Sequence, residues 1–135
     1  MELTVATILA VTGLTYRALD HLHSSGMAPA SVAGDGPGSR RRYNQQAVLA
    51  VIVAAEMRSF GLPPPVIRSV STHLRSLKTL PSAAEGAGES VVIVDGASVR
   101  IDTNTTCVAS TSTVGVVIRL GGPLLKIMRA CACKL

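Results

Sequence analysis

Thr4-Val5-Ala6-Thr7-Ile8-Leu9-Ala10-Val11-Thr12-Gly13-Leu14-Thr15-Tyr16-Arg17-Ala18-Leu19-Asp20-His21-Leu22 is the stretch whose reading decides the fold. Thr4 is of the residue type that caps a helix N-terminus. After it, Val5, Ile8 and Leu9 recur at helical spacing, and Thr12-Gly13 ends the segment. Leu14 is expected under the turn. Thr15 can cap a second helix, with Ala18, Leu19 and Leu22 on its buried side. Tyr16, Arg17, Asp20, His21 and His23 then fall on other faces, with His23 at the surface, and Ser24-Ser25-Gly26 stops the helix. The reading is two short helices on a tight glycine turn.

Downstream, Met27 to Gly38 is rich in Ala, Gly, Ser and Pro, with Asp35-Gly36 as a turn signal. It reads as a loose hairpin whose return strand is Ser39–Tyr43, carrying Arg40, Arg41 and Arg42. Asn44 caps a third helix to about Phe60, with Val48, Val51, Ile52, Ala55 and Phe60 as its core face. Gly61 closes it. Leu62-Pro63-Pro64-Pro65 starts a fourth helix, because proline is tolerated in a first turn. Val66, Ile67, Val70, Leu74 and Leu77 carry its apolar stripe to about Leu80.

Pro81 to Glu89 has no periodicity and reads as a linker. Beyond it the pattern changes to strands. Ser90–Val94 and Ser98–Asp102 flank Asp95-Gly96, a hairpin signal. Val114–Leu120 is a third strand, Gly121-Gly122-Pro123 breaks it, and Leu124–Ala132 forms a short terminal helix. The fold class expected is therefore α+β. Residues 1–80 form a helical domain with a basic hairpin, 81–89 a linker, and 90–135 a small β-rich module suited to dimerisation or an effector.

The totals agree with this organisation. The chain has 135 residues, enough for one ordinary domain or two small ones. A hydrophobic fraction of 47% supplies a core, built from Val, Leu, Ile and Ala because aromatics are scarce. That scarcity also argues against a stacking platform for single-stranded nucleic acid. The net charge is +5, and residues 1–80 hold eight Lys/Arg against four Asp/Glu, so the basic excess belongs to the N-terminal half. The longest apolar run, Ala47–Ala55, is too short to cross a bilayer. With no secretory leader expected, the reading is a cytoplasmic protein without membrane attachment and with reduced cysteines.

Helix, turn, helix, basic hairpin and two further helices is the order a winged helix-turn-helix requires. In that arrangement the second helix enters the DNA major groove, which is wide enough to admit it. Thr15, Tyr16 and Arg17 then face bases and phosphates. His21 can donate to a phosphate, Arg40, Arg41 and Arg42 grip the backbone, and Tyr43 offers a hydroxyl. Asp20, on the same helix, would be repelled by phosphate.

These features resemble the MerR-type transcription regulators over residues of about 3–75. The Thr-Gly turn appears as Thr12-Gly13-Leu14, the Arg-x-Leu step as Arg17-Ala18-Leu19, and the Gly-Leu-x-Pro step as Gly26-Met27-Ala28-Pro29. The wing ending in Arg and Tyr is Gly38 to Tyr43, and the next helix closes at Ser59-Phe60-Gly61-Leu62. The resemblance implies a sequence-specific regulator that binds double-stranded DNA as a homodimer on a pseudopalindrome, with RNA polymerase at a promoter as the further partner. Unlike that family, the chain has no heptad run after Leu80, so no effector role carries over.

Two other classes are compatible with the same residues. One is an architectural, DNA-bending factor of excisionase type. The other is a protein-interaction module that has lost DNA binding and pairs through its strands. Catalysis is not expected: no nucleophile elbow, phosphate loop or metalloprotease motif occurs, and no cofactor is implied. Cys131 and Cys133, with Cys107, are the residues a soft metal would use. That pair lies in the last five residues without a Cys-x-x-Cys spacing, so no metal site is expected.

Overall fold

A computed structural model describes residues 2–32, 41–80, 90–95, 98–103 and 116–132. The chain is a mixed helix and antiparallel-sheet protein of the α+β class. In order, the elements are β1 (Glu2–Thr4), α1 (Val5–Thr12), α2 (Tyr16–Ser24), β2 (Arg42–Asn44), α3 (Gln45–Ser59) and α4 (Pro64–Arg75). There follow β3 (Ser90–Asp95), β4 (Ser98–Thr103), β5 (Val116–Arg119) and α5 (Gly121–Ala132).

Local chemistry sets the first two helices. Thr4 Oγ1 accepts the Thr7 N–H at 3.4 Å and opens α1. The helix stops at Gly13, whose φ of 71° is the left-handed conformation that glycine adopts without steric cost. Thr12 locks the turn from inside: its hydroxyl donates to the Ile8 carbonyl at 2.7 Å and accepts the Leu14 N–H at 3.2 Å. Thr15 Oγ1 then accepts the Ala18 N–H at 3.1 Å and opens α2. Leu19 and Leu22 are buried, as their spacing requires, while Ala18 is only half-buried.

β1 is a strand that the sequence does not announce. It pairs antiparallel with β2, placing Leu3 opposite Tyr43, both buried. Three residues are too few to show an alternation, so the pairing is visible only in three dimensions. A further bridge joins Val32 to Arg42, which returns the chain beside β2. The Ser31 hydroxyl accepts the Asn44 N–H at 2.7 Å and pins the same strand. β2 begins at Arg42 and reaches Asn44. Ser39 and Arg40 of the expected return strand lie outside the described residues.

Asn44 caps α3, accepting the Ala47 N–H at 2.8 Å. The expected one-sided core face gives way to a helix buried on every side from Ala47 to Ala54, and again at Met57. A helix that is apolar all round belongs in the interior. Here α4, α5, α2 and β2 all pack around it. Phe60 corrects the expected core: it lies beyond the last turn and is 83% exposed. α4 also ends sooner than its stripe suggests, at Arg75 rather than near Leu80. The Ser76 hydroxyl donates to the His73 carbonyl at 2.7 Å and competes with continuation of the helix. Leu77 and Leu80 remain half-buried against the core outside any helix.

The expected hairpin forms, with β3 paired to β4 from Ser90↔Thr103 to Asp95↔Ser98. β5 pairs on the other side of β3, giving the order β4-β3-β5. Gly121-Gly122-Pro123 is the first turn of α5 rather than a break before it. Proline in that turn lacks an N–H that would have no partner there anyway. The first helical bond runs from the Leu124 N–H to the Leu120 carbonyl at 2.9 Å. Val92, Val94, Leu120, Leu124 and Ile127 join Leu3, Ile8, Leu49 and Leu74 in one buried cluster, while Val91 and Ile93 are buried on the opposite sheet face. The expected linker at 81–89 lies outside the described residues. Among the described residues no helix is long and apolar enough to cross a membrane.

Candidate nucleic-acid interface

The exposed side of α2 follows from its buried one. With Leu19 and Leu22 turned inward, Arg17 and His21 fall four residues apart on one outward stripe, and both are exposed. Tyr16 stands beside them at 59% exposure. Thr15 spends its hydroxyl on the Ala18 N–H, which leaves the Tyr16 and Arg17 N–H groups of the first turn without an intrahelical partner. The positive end of the helix dipole lies at the same place, an environment that favours an anion.

β2 divides the basic run by strand alternation. Tyr43 points into the core, so Arg42 points outward and Arg41 lies on the core side. Arg42 is exposed and approaches Glu2 at 3.5 Å, a pairing of two exposed side chains that is worth little. Arg41 is largely buried, with 20% of its side chain exposed, and its guanidinium pairs with the Asp20 carboxylate of α2. That ion pair draws the basic strand against the flank of α2. It also revises the expectation for Asp20: the carboxylate is neutralised by Arg41 instead of opposing a phosphate. Asp20 in turn holds Arg41 more firmly protonated, against partial burial.

Tyr43 is the clear correction among the expected contact residues. It is fully buried, and its hydroxyl makes no hydrogen bond among the described residues. Burial pushes its pKa above the ordinary tyrosine value, with the Arg41 charge pulling the other way. It is a packing residue opposite Leu3 and offers no hydroxyl to a ligand. His23 is likewise not a simple surface residue. It is half-buried, and its Nδ1 accepts the Ala30 N–H at 3.0 Å. Burial, then the Arg41 charge, lowers its pKa, while Asp20 raises it less. The imidazole is thus held neutral, with Nδ1 as acceptor.

The structure therefore carries Thr15, Tyr16, Arg17 and His21 at the start and along the exposed side of α2, ties Arg41 to the same helix through Asp20, and leaves Arg42 exposed on β2 near Glu2. Arg40 lies outside the described residues. Asp20 and His23 are positioning residues that sequence reasoning misses. The available signal is the alternation around Tyr43, which turns Arg41 inward and obliges it to find a carboxylate. A third is Arg68 of α4, whose Nε donates to the Ser25 carbonyl at 3.1 Å and ties α4 to the end of α2.

Cys107 and Cys133 lie outside the described residues, and Cys131 falls within α5 with its side chain undescribed. Among the described residues no group of three or more His, Cys, Asp or Glu gathers as metal ligands would. No protein-family model matches the chain, and comparison with curated proteins gives no significant match.

Proposed function

We propose that the chain is a winged helix-turn-helix protein that binds double-stranded DNA in a sequence-specific manner and regulates transcription from the cytoplasm as a dimer. The observation that carries this reading is the Asp20–Arg41 pair. It ties α2 to the basic segment that enters β2, with Arg17 and His21 on the helix stripe and Arg42 on the strand. α2 is the recognition helix: Arg17 reads a base edge or a phosphate in the major groove, and Tyr16 flanks it. Arg42 and the neighbouring Arg40 hold the backbone, and the resemblance to MerR-type regulators supports the same assignment. Net basic charge concentrated in residues 1–80 favours approach of a polyanion to this half.

Selection from a random duplex pool, followed by sequencing, tests the reading. An enriched inverted repeat is expected. Arg17→Ala should then weaken binding to the enriched duplex by about 1–3 kcal/mol and relax preference at the positions it reads. Binding without enrichment would make the protein an architectural DNA binder. No binding even at low salt would move attention to the edge strands β4 and β5 as a protein-pairing surface.

A further inference from the structure

A shallow, open groove of about 520 Å³ runs along α4 with Val99 of β4 at its edge, lined by Arg68, Ser69, Thr72, His73, Ser76 and Val99. It sits at the seam between the helical part of the chain and the β3–β5 sheet, and none of its described lining residues belongs to α2 or β2. We propose that this groove is a phosphate-binding site.

The lining chemistry carries the argument. Arg68 uses Nε on the Ser25 carbonyl, which holds the side chain in place. Its two terminal nitrogens make no hydrogen bond among the described residues, and they are the fork that matches two phosphate oxygens. The Thr72 hydroxyl and the His73 imidazole are likewise without a partner there. One is a hydroxyl donor and the other offers a ring N–H. Ser69 and Ser76 donate to the Pro65 and His73 carbonyls at 3.0 and 2.7 Å, which aims their hydroxyls back at α4 and leaves the other groups to the groove.

Among the described residues no carboxylate lines the groove. The sequence from Met57 to Leu80 contains no Asp or Glu at all, while it carries Arg58, Arg68, Arg75 and Lys78. A groove with a held guanidinium, a hydroxyl and an imidazole and, among the described residues, no carboxylate in its lining favours a multiply charged oxyanion over a neutral ligand or a cation. Val99 adds an apolar wall on the β4 side, against which the carbon part of a phosphorylated molecule can rest. The phosphate could belong to such a small molecule or to the backbone of a bound duplex. The site itself stands independently of the DNA reading.

The test is titration of inorganic pyrophosphate into the full chain without DNA, at constant ionic strength set by chloride, read by amide NMR shifts and calorimetry. Saturable binding is expected, with shifts confined to α4 and β4. Arg68→Gln should weaken it by about tenfold, as expected for removing one charge-assisted pair. If that variant melts abnormally because its side chain no longer reaches the Ser25 carbonyl, Thr72→Val at an exposed position carries the test, with a several-fold weakening expected. Arg58→Gln, at the exposed end of α3, should bind as the wild type does. Absence of saturation, shifts scattered over the basic surface, or equal weakening by Arg58→Gln would overturn the proposal. A second arm adds the selected duplex: displacement of pyrophosphate assigns the phosphate to the DNA backbone, and simultaneous binding assigns it to a small molecule. Failure of the DNA reading would remove only that second arm.

Discussion

At the scale of single residues, four side chains tie α2 to the chain on either side of the basic segment, and each has its own physical task. Asp20 and Arg41 supply the attraction, Tyr43 the packing, and His23 an acceptor for the Ala30 N–H. Two predictions belong here. The Tyr43 hydroxyl is buried without a hydrogen bond among the described residues, so Tyr43→Phe should be neutral or raise stability by up to about 1 kcal/mol. Urea denaturation monitored by circular dichroism checks this, and a drop of more than about 1 kcal/mol would mean that the hydroxyl is bonded after all. His23 gives the second. Its pKa is lowered below 6.5 in the folded chain, chiefly by burial. Just below pH 6.5 the unfolded chain therefore binds more protons than the folded one, and stability rises with pH there. The contribution is complete above pH 6.5 and is lost as pH falls through the lowered folded value. His23→Gln should flatten that part of the stability–pH curve relative to wild type. An unchanged difference between pH 5 and pH 7.5 would contradict it. The sequence shows three adjacent arginines as equals. Only the alternation set by Tyr43 separates the outward Arg42 from the inward Arg41, and the partner Asp20 lies twenty-one residues away, beyond any local pattern.

Capping chemistry and apolar spacing make the elements largely legible. Thr4, Thr15 and Asn44 each cap the helix they precede, and each cap is a local event written in adjacent residues. β3, β4 and β5 follow from Val/Ile runs on either side of Asp95-Gly96 and before Gly121. What local pattern cannot supply is which neighbours surround an element. α3 shows this best: its run of Ala and Val fits a helix, yet only packing by several elements explains why every side from Ala47 to Ala54 is buried. Phe60 reads as a core residue by its size, but the helix ends before it turns inward. Leu49 and Phe60 give opposite expectations. Leu49→Ala should cost about 2–5 kcal/mol, because the side chain is fully buried and the helix is held from all sides. Phe60→Ser should stay within about 0.5 kcal/mol, because the side chain is exposed and the α3 C-cap hydrogen bonds come from the backbone N–H, which the substitution keeps. Paired denaturation curves decide the matter. Similar destabilisation at both positions would mean that Phe60 is covered in solution.

On the scale of the whole molecule, buried residues from both parts of the chain share one core. Leu120, Leu124 and Ile127 of the C-terminal part meet Ile8 and Leu49 of the N-terminal part. The C-terminal part therefore shares the core that supports α2, which carries Arg17, and β2, which carries Arg42. Nothing local in the sequence announces that docking, since the residues involved look like ordinary core positions in either part. The charge distribution works at this scale too, because steering of a polyanion depends on the summed field of many charges. The most direct test of the central claim, that α2 and the basic strand form one DNA-gripping unit, is the salt dependence of binding to a selected duplex. Wild type and the Arg17→Ala/Arg42→Ala double variant would be titrated from low to moderate salt. The account predicts a steep fall in wild-type affinity with salt. A log–log slope reduced by about one per protomer is expected in the variant for the phosphate held by Arg42, and by about two where Arg17 also contacts a phosphate, since each phosphate that is no longer neutralised takes away about 0.9. Equal slopes, or no wild-type binding at low salt, would contradict it.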